Sequence, residues 1–149
     1  MGINHFNIRV YGILINEENQ LLVTDELING HKITKLPGGG LEFGEGTIDC
    51  IKREFIEETK NEIEVIEHFY TTDFFQKSAY NNTHQIMSIY YKVKPSSNFK
   101  IISTEKIFDF GDELNYIQTF RWVDIPKINE NTFTLPIDKV IANMIISKI

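Results

Sequence analysis

The stretch from Gly39 to Glu58, GGLEFGEGTIDCIKREFIEE, joins a glycine-rich turn to a helix-forming segment whose carboxylates Glu54, Glu57 and Glu58 recur at three- and four-residue spacing. Side chains at i, i+3 and i+4 share a helical face, so these carboxylates repel one another unless a cation or solvent screens them. Hard oxygen donors on one face suit magnesium or manganese. Ahead of them Pro37 is followed by Gly38, Gly39 and Gly40, with Gly44 and Gly46 close behind. Such a backbone can adopt positive φ and approach a ligand closely. A helix is expected to begin at Gly46 or Thr47, either of which can serve as N-cap. Its N–H groups can face an anion once metal offsets the acidic face behind them.

Projected at about 100° per residue, the helix separates two surfaces. Ile48, Ile51, Phe55 and Thr59 form an apolar stripe expected to pack on a sheet, while Glu54, Glu57 and Glu58 cluster away from its centre with the small Cys50 among them. Arg53 precedes Glu57 by one helical turn and can pair with it or reach back to Glu45, fixing loop and helix in one geometry.

The segment resembles the Nudix box, G-x5-E-x7-R-E-U-x-E-E-x-G-U, where U is a bulky aliphatic. Gly39 stands at the first glycine, Glu45 at the first glutamate, Arg53-Glu54 at the R-E pair, Phe55 at the first U and Glu57-Glu58 at the E-E pair. Two positions depart: Lys60 replaces the final glycine and Asn61 the final aliphatic. A left-handed residue is favoured at that helix exit, and Asn61 is expected to supply it one residue late, leaving the metal face in place. An ordinary negative φ at Asn61 would instead favour a module that binds without turnover. The plain alternative, a solvent-facing acidic helix after a glycine turn, leaves the spacing of Gly39, Glu45 and Arg53 unexplained.

At 149 residues the chain has the length of one ordinary domain, and a single domain over 1–149 is expected. With 15 basic and 21 acidic residues and a formal charge of -6, general affinity for a nucleic-acid polymer is not expected. The lone cysteine, Cys50, has no partner for an internal disulfide, no signal peptide opens the chain, and no apolar run approaches the roughly 20 residues that span a bilayer. A cytoplasmic protein without membrane contact is the expectation.

Phe6 to Ile15 and Gln20 to Thr24, separated by a turn at Asn16 to Asn19, read as a hairpin. Further strands are expected at Lys32 to Leu36, Glu62 to Tyr70, Thr83 to Val93 and Asn115 to Val123, and Leu135 to Ser147 has helical spacing at Ile137, Val140, Ile141, Met144 and Ile145. This order implies an α/β (α+β) protein with helices covering a mixed β-sheet, and it resembles the Nudix fold, an α/β/α sandwich. Trp122 is expected in the core, and Phe74, Phe75 and Tyr80 are expected to pack the core or cover a strand edge rather than stack on a base. His5, His31, His68 and His84 show no paired metal spacing.

The resemblance implies a hydrolase that cleaves a diphosphate linkage in a small nucleoside diphosphate derivative, with Mg2+ or alternatively Mn2+ as cofactor. It implies Glu54, Glu57, Glu58 and the Gly38 carbonyl as metal ligands. The general base is a box glutamate, with Glu54 first, or an acid from a later loop, with Glu113 in reserve among Glu105, Asp109 and Asp112. Arg53 completes the catalytic set, and a homodimer is left open. The rival from another class is a Nudix-fold module that senses a nucleotide without cleaving it; a Nudix-like isomerase fits less well, since no second catalytic motif is recognised.

Overall fold

Strand pairing sorts the chain into two sheets with two helices, a mixed α+β architecture, in a computed structural model that describes residues 2–112 and 115–149. In chain order the elements are β1 (His5–Leu14), β2 (Gln20–Ile28), β3 (His31–Lys35), β4 (Gly38–Gly40), α1 (Thr47–Thr59), β5 (Ile63–Thr71), β6 (His84–Pro95), β7 (Ile117–Asp124), a 3-10 turn over Ile125–Lys127, and α2 (Pro136–Lys148). The described chain forms two compact units: the residues up to Leu14 with Pro37–Phe99, and Ile15–Leu36 with Lys100–Ile149. Among the described residues no helix is long and apolar enough to cross a membrane.

The first unit is built on a sheet in the order β4-β1-β6-β5. β1 runs parallel to β6, from His5 beside His84 to Leu14 beside Val93, and the other two pairings are antiparallel, so the sheet is mixed. The last five residues of β1 are all buried, and α1 lies against them. Gly12 makes that seat possible: a Cβ there would sit 2.6 Å from Phe55 Cε2, in space that the ring fills. Each large apolar side chain removed from water in this way contributes about 1.5–3 kcal/mol. At the start of α1 the Thr47 and Tyr91 hydroxyls meet at 2.6 Å, fastening it to β6.

The buried face of α1 is Cys50, Ile51, Phe55 and Thr59, whereas Ile48 is 44% exposed. The expected stripe therefore holds except at its first member, and Cys50 leaves the carboxylate face for the interior. The first turn of the helix overlies β4, where the Cys50 thiol donates to the Gly40 carbonyl at 3.5 Å. β4 itself went unread as a strand in the sequence, because three glycines carry no side-chain signal.

Both ends of α1 are defined by backbone geometry. Gly46 is the N-cap, and its N–H donates to Asp49 Oδ2 at 2.9 Å. The left-handed exit is taken by Lys60, with φ 63° and ψ 22°, and Asn61 lies outside the positive-φ residues, which corrects the expectation that Asn61 would supply it. Asn61 is instead buried, donating from its N–H to Thr59 Oγ1 and from Nδ2 to the Thr59 carbonyl. The exit thus stays at the position where the Nudix pattern has glycine, with Lys60 in the left-handed conformation; the negative φ at Asn61 is the outcome tied above to the binding-only alternative, although the helix end itself is not displaced.

The second unit holds an antiparallel sheet in the order β3-β2-β7 and the helix α2, whose buried residues are Ile137, Asp138, Ile141, Ala142 and Ile145. β2 runs four residues beyond the Thr24 boundary read from sequence, through Asp25 and Glu26, because both charges are neutralised where they are buried. Arg121 clasps Asp25 through Nε and Nη2 at 2.9 and 3.0 Å, and Lys35 pairs with Glu26 at 3.0 Å. The hairpin expected from β1 and β2 does not form. Both edges of β1 are taken by β4 and β6 and both edges of β2 by β3 and β7, which leaves the turn at Asn16 with only an isolated Ile15–Leu21 bridge.

Trp122 is half-buried, not a core residue, and Phe74, Phe75 and Tyr80 are exposed. Their segment does cover a strand edge: Ile86 N–H donates to the Gln76 carbonyl and Ser78 N–H to that of His84, so backbone pairing holds it without burying the rings.

Replacing Lys60 with glycine is expected to stabilise the protein by about 1 kcal/mol, since a left-handed conformation strains any residue with a Cβ. Asn61→Gly is expected to destabilise by a similar amount through loss of its side-chain hydrogen bond. Urea unfolding midpoints of the two variants should move in opposite directions.

Candidate functional site

Chain direction reverses between β4 and α1, so the glycines of the strand and the carboxylates of the helix come to lie against one another. Arg53 is the hub. Its Nε and Nη2 donate to the two Glu45 oxygens at 2.9 and 2.7 Å, its Nη1 to Glu54 Oε1 at 3.0 Å and Glu57 Oε2 at 3.2 Å, and its Nη2 also to the Gly40 carbonyl at 3.0 Å. Glu42 stands 3.6 Å away as a further ion-pair partner. Arg53 thus makes both contacts open to it in sequence, to Glu57 and to Glu45. A planar guanidinium with five N–H groups can serve several acceptors at once, which a lysine cannot.

Electrostatics follow from this arrangement. The Arg53 hydrogen bond holds the Glu45 carboxyl far below its ordinary value, at about 2, and the Glu42 N–H adds to it. Arg53 is pushed further up, chiefly by the same bond to Glu45. Burial, followed by the neighbouring Glu45, pushes the Cys50 thiol up to about 12, so it stays protonated and is no nucleophile at neutral pH.

Two glycines set the distances. A Cβ on Gly39 would fall 2.5 Å from Glu54 Cδ, so only a bare backbone lets that carboxylate lie on the strand. Gly38 has φ 149° and a Cβ position 2.8 Å from Tyr11 Cα, where no side chain fits, and its N–H donates to Glu58 Oε2 at 3.1 Å. The tertiary structure therefore gathers Glu45, Glu54, Glu57 and the Gly40 carbonyl on Arg53, sets Glu54 against Gly39, and ties Glu58 to Gly38 on the same glycine strand.

For a divalent cation the chemistry of the donor set fits: three carboxylates from one helix and a neighbouring backbone, all hard oxygen. Among the described residues no three His, Cys, Asp or Glu side chains converge as a closed cage. Glu54 and Glu57 turn to Arg53, and Glu58 turns to the Gly38 amide. Binding an ion would exchange part of these hydrogen bonds for coordination, with Glu57, the most exposed of those tied to Arg53 on the helix at 57%, the readiest to turn.

Glu105, Asp109 and Asp112 belong to the second unit, and Glu113 lies outside the described residues. The box spacing singles out neither Glu42 nor Arg9; Arg9 stands opposite Gly40 through β1–β4 pairing, a relation that no local sequence pattern carries.

A family model described as NUDIX domain matches residues 5–144. Solved structures share the fold at low identity. A NUDIX hydrolase from Nitrosomonas europaea is 18% identical with a TM-score of 0.63, the match covering 92% of this chain and 87% of that one. A MutT protein from Methanosarcina mazei Go1 is 19% identical with a TM-score of 0.66, covering 95% and 91%. An ADP-ribose pyrophosphatase from Streptococcus suis is 12% identical with a TM-score of 0.59, covering 93% and 86%.

Gly39→Ala is expected to cost little stability, because the displaced atoms are the mobile end of Glu54, yet to lower any turnover by about 10–100-fold through misplacing that carboxylate. Activity assayed beside thermal unfolding checks the separation. Because the folded pKa of Glu45 lies below its ordinary value, its contribution is full above pH about 4.5 and is lost as pH falls toward about 2. Glu45→Gln should flatten that part of the acid-unfolding profile, measured by circular dichroism.

Proposed function

The chain belongs to the NUDIX family, and from that premise we propose that residues 1–149 form one pyrophosphohydrolase domain that cleaves a diphosphate linkage in a nucleoside diphosphate derivative, with Mg2+ or Mn2+. The observation that carries the reading is the Arg53 network, which fixes the glycine strand and the Glu54–Glu57–Glu58 face in one geometry. Diphosphate hydrolysis asks a protein mainly for positioning and charge neutralisation, and this segment supplies both.

Glu54, Glu57, Glu58 and the Gly38 carbonyl are the residues that would hold the ion. When bound, it neutralises phosphate charge and acidifies water. Glu54, pressed on Gly39, accepts the proton of the water that attacks phosphorus, and the P–O bond of the anhydride breaks as the new one forms. Arg53 keeps the Glu54 carboxylate aimed and its charge balanced. Glu113 is the reserve base. The named activities of the structural relatives, MutT and ADP-ribose pyrophosphatase among them, support a panel of nucleoside triphosphates, nucleotide sugars, ADP-ribose and dinucleoside polyphosphates as the route to the substrate.

Chelation by EDTA should abolish turnover, and Mg2+ should restore it. Glu57→Gln is expected to lower kcat by about a hundredfold or more while leaving the unfolding transition in place, since that side chain is exposed. Full activity in chelated protein would overturn the metal assignment. A panel without turnover by protein that still binds Mg2+ and nucleotide would establish the sensor module in its place, and loss of activity in Glu113→Gln alone would reverse the roles given to the two glutamates.

A further inference from the structure

β4 is the edge strand of its sheet and consists of glycine alone, so nothing but backbone separates the two faces there. Successive residues of a strand face opposite sides. On one side, the Cβ position of Gly39 meets Glu54. On the other, that of Gly38 meets Tyr11, and that of Gly40 lies 3.5 Å from Arg9 Nη1. Arg9 and Gly40 are paired in the β1–β4 ladder. Gly40 is thus bracketed by two guanidiniums, Arg53 on its carbonyl oxygen and Arg9 along its bare Cα.

Arg9 is held in place before any ligand arrives. Its Nε donates to the Tyr11 hydroxyl at 3.0 Å, its Cζ stands 5.8 Å from the Tyr11 ring centroid, and Tyr11 stacks on Tyr90 with centroids 5.5 Å apart. The side chain is half-buried on β1. Such anchoring reduces the rotamer freedom that an arginine loses on gripping an anion. Arg53 meets the glycine strand from the carboxylate face, and Arg9 brings a second positive charge to it from the opposite face.

We infer that Arg9 is a positioning residue for the substrate: where the diphosphate spans the backbone-only glycine edge strand, the Arg9 guanidinium takes one of its phosphate oxygens from the side opposite the carboxylate face of α1. This rests on the diphosphate-hydrolase reading and adds to it a specific anion contact outside the box. A guanidinium–phosphate contact is a charge-assisted hydrogen bond, and its loss weakens binding by about 10–100-fold.

The test compares the wild type with Arg9→Gln and Arg9→Lys by calorimetric titration of inorganic pyrophosphate in the presence of Mg2+, by steady-state kinetics on the substrate that the panel identifies, and by thermal unfolding. The expected result is a pyrophosphate Kd and a KM raised about 10–100-fold in Arg9→Gln with kcat changed less than about threefold, and partial recovery in Arg9→Lys. Pyrophosphate affinity and KM unchanged in Arg9→Gln would overturn the inference. So would a fall in kcat and unfolding temperature together, without a KM change, in both variants, because a merely structural role moves those. If the wild type turns over nothing but binds pyrophosphate through Arg9, the hydrolase reading fails while the assignment of Arg9 stands.

Discussion

Arg53 donates to Glu45, Glu54, Glu57 and the Gly40 carbonyl at once, and the geometry of the candidate site depends on that one guanidinium. Without a cation at its centre, carboxylates at i and i+3 on one helix face would splay toward solvent. With it, the helix face and the loop before it become a single body, and the carboxylate that bridges them, Glu45, is held ionised far into the acid range. The arginine is partly shielded, with 22% of its side chain exposed, so the pairs are screened less than fully exposed ones would be.

The second constraint is steric absence. Gly12 admits Phe55, Gly39 admits Glu54, and Gly38 admits the backbone of β1, so α1 approaches the sheet as closely as bare backbone allows. Hydrophobic burial of Ile51 and Phe55 supplies the drive for that approach and the glycines set where it stops. Close packing on one face of the glycine strand and an anchored arginine on the other leave only backbone between them at that edge.

The second unit solves a different problem, the burial of charge within a strand. Asp25 and Glu26 are adjacent on β2 and therefore face opposite sides of its sheet. Each has its own partner: Arg121, Thr34 and the Phe108 N–H for Asp25, and Lys35 with the Tyr116 hydroxyl for Glu26. Burying such groups unpaired would be strongly destabilising, so the order of this sheet is tied to contacts spanning up to 96 positions of sequence.

Local spacing by itself determined that a glycine turn is followed by a helix with three carboxylates on one face, and that strands flank it, because periods of 2 and 3.6 residues are written in neighbouring positions. The existence of β1, β5, β6 and α2, with ends shifted by one or two residues, and the Arg53 contacts to Glu45 and Glu57 were legible for that reason. Pairing between distant segments was not. Only the tertiary structure decided that β1 joins β6 in parallel rather than β2 in a hairpin, that three glycines make a strand, that Cys50 is inside and Ile48 outside, and that Lys60 rather than Asn61 turns left-handed. Each of these depends on which backbone edge is already occupied or which neighbour leaves room for a Cβ, and those are properties of packing between segments that no local period encodes.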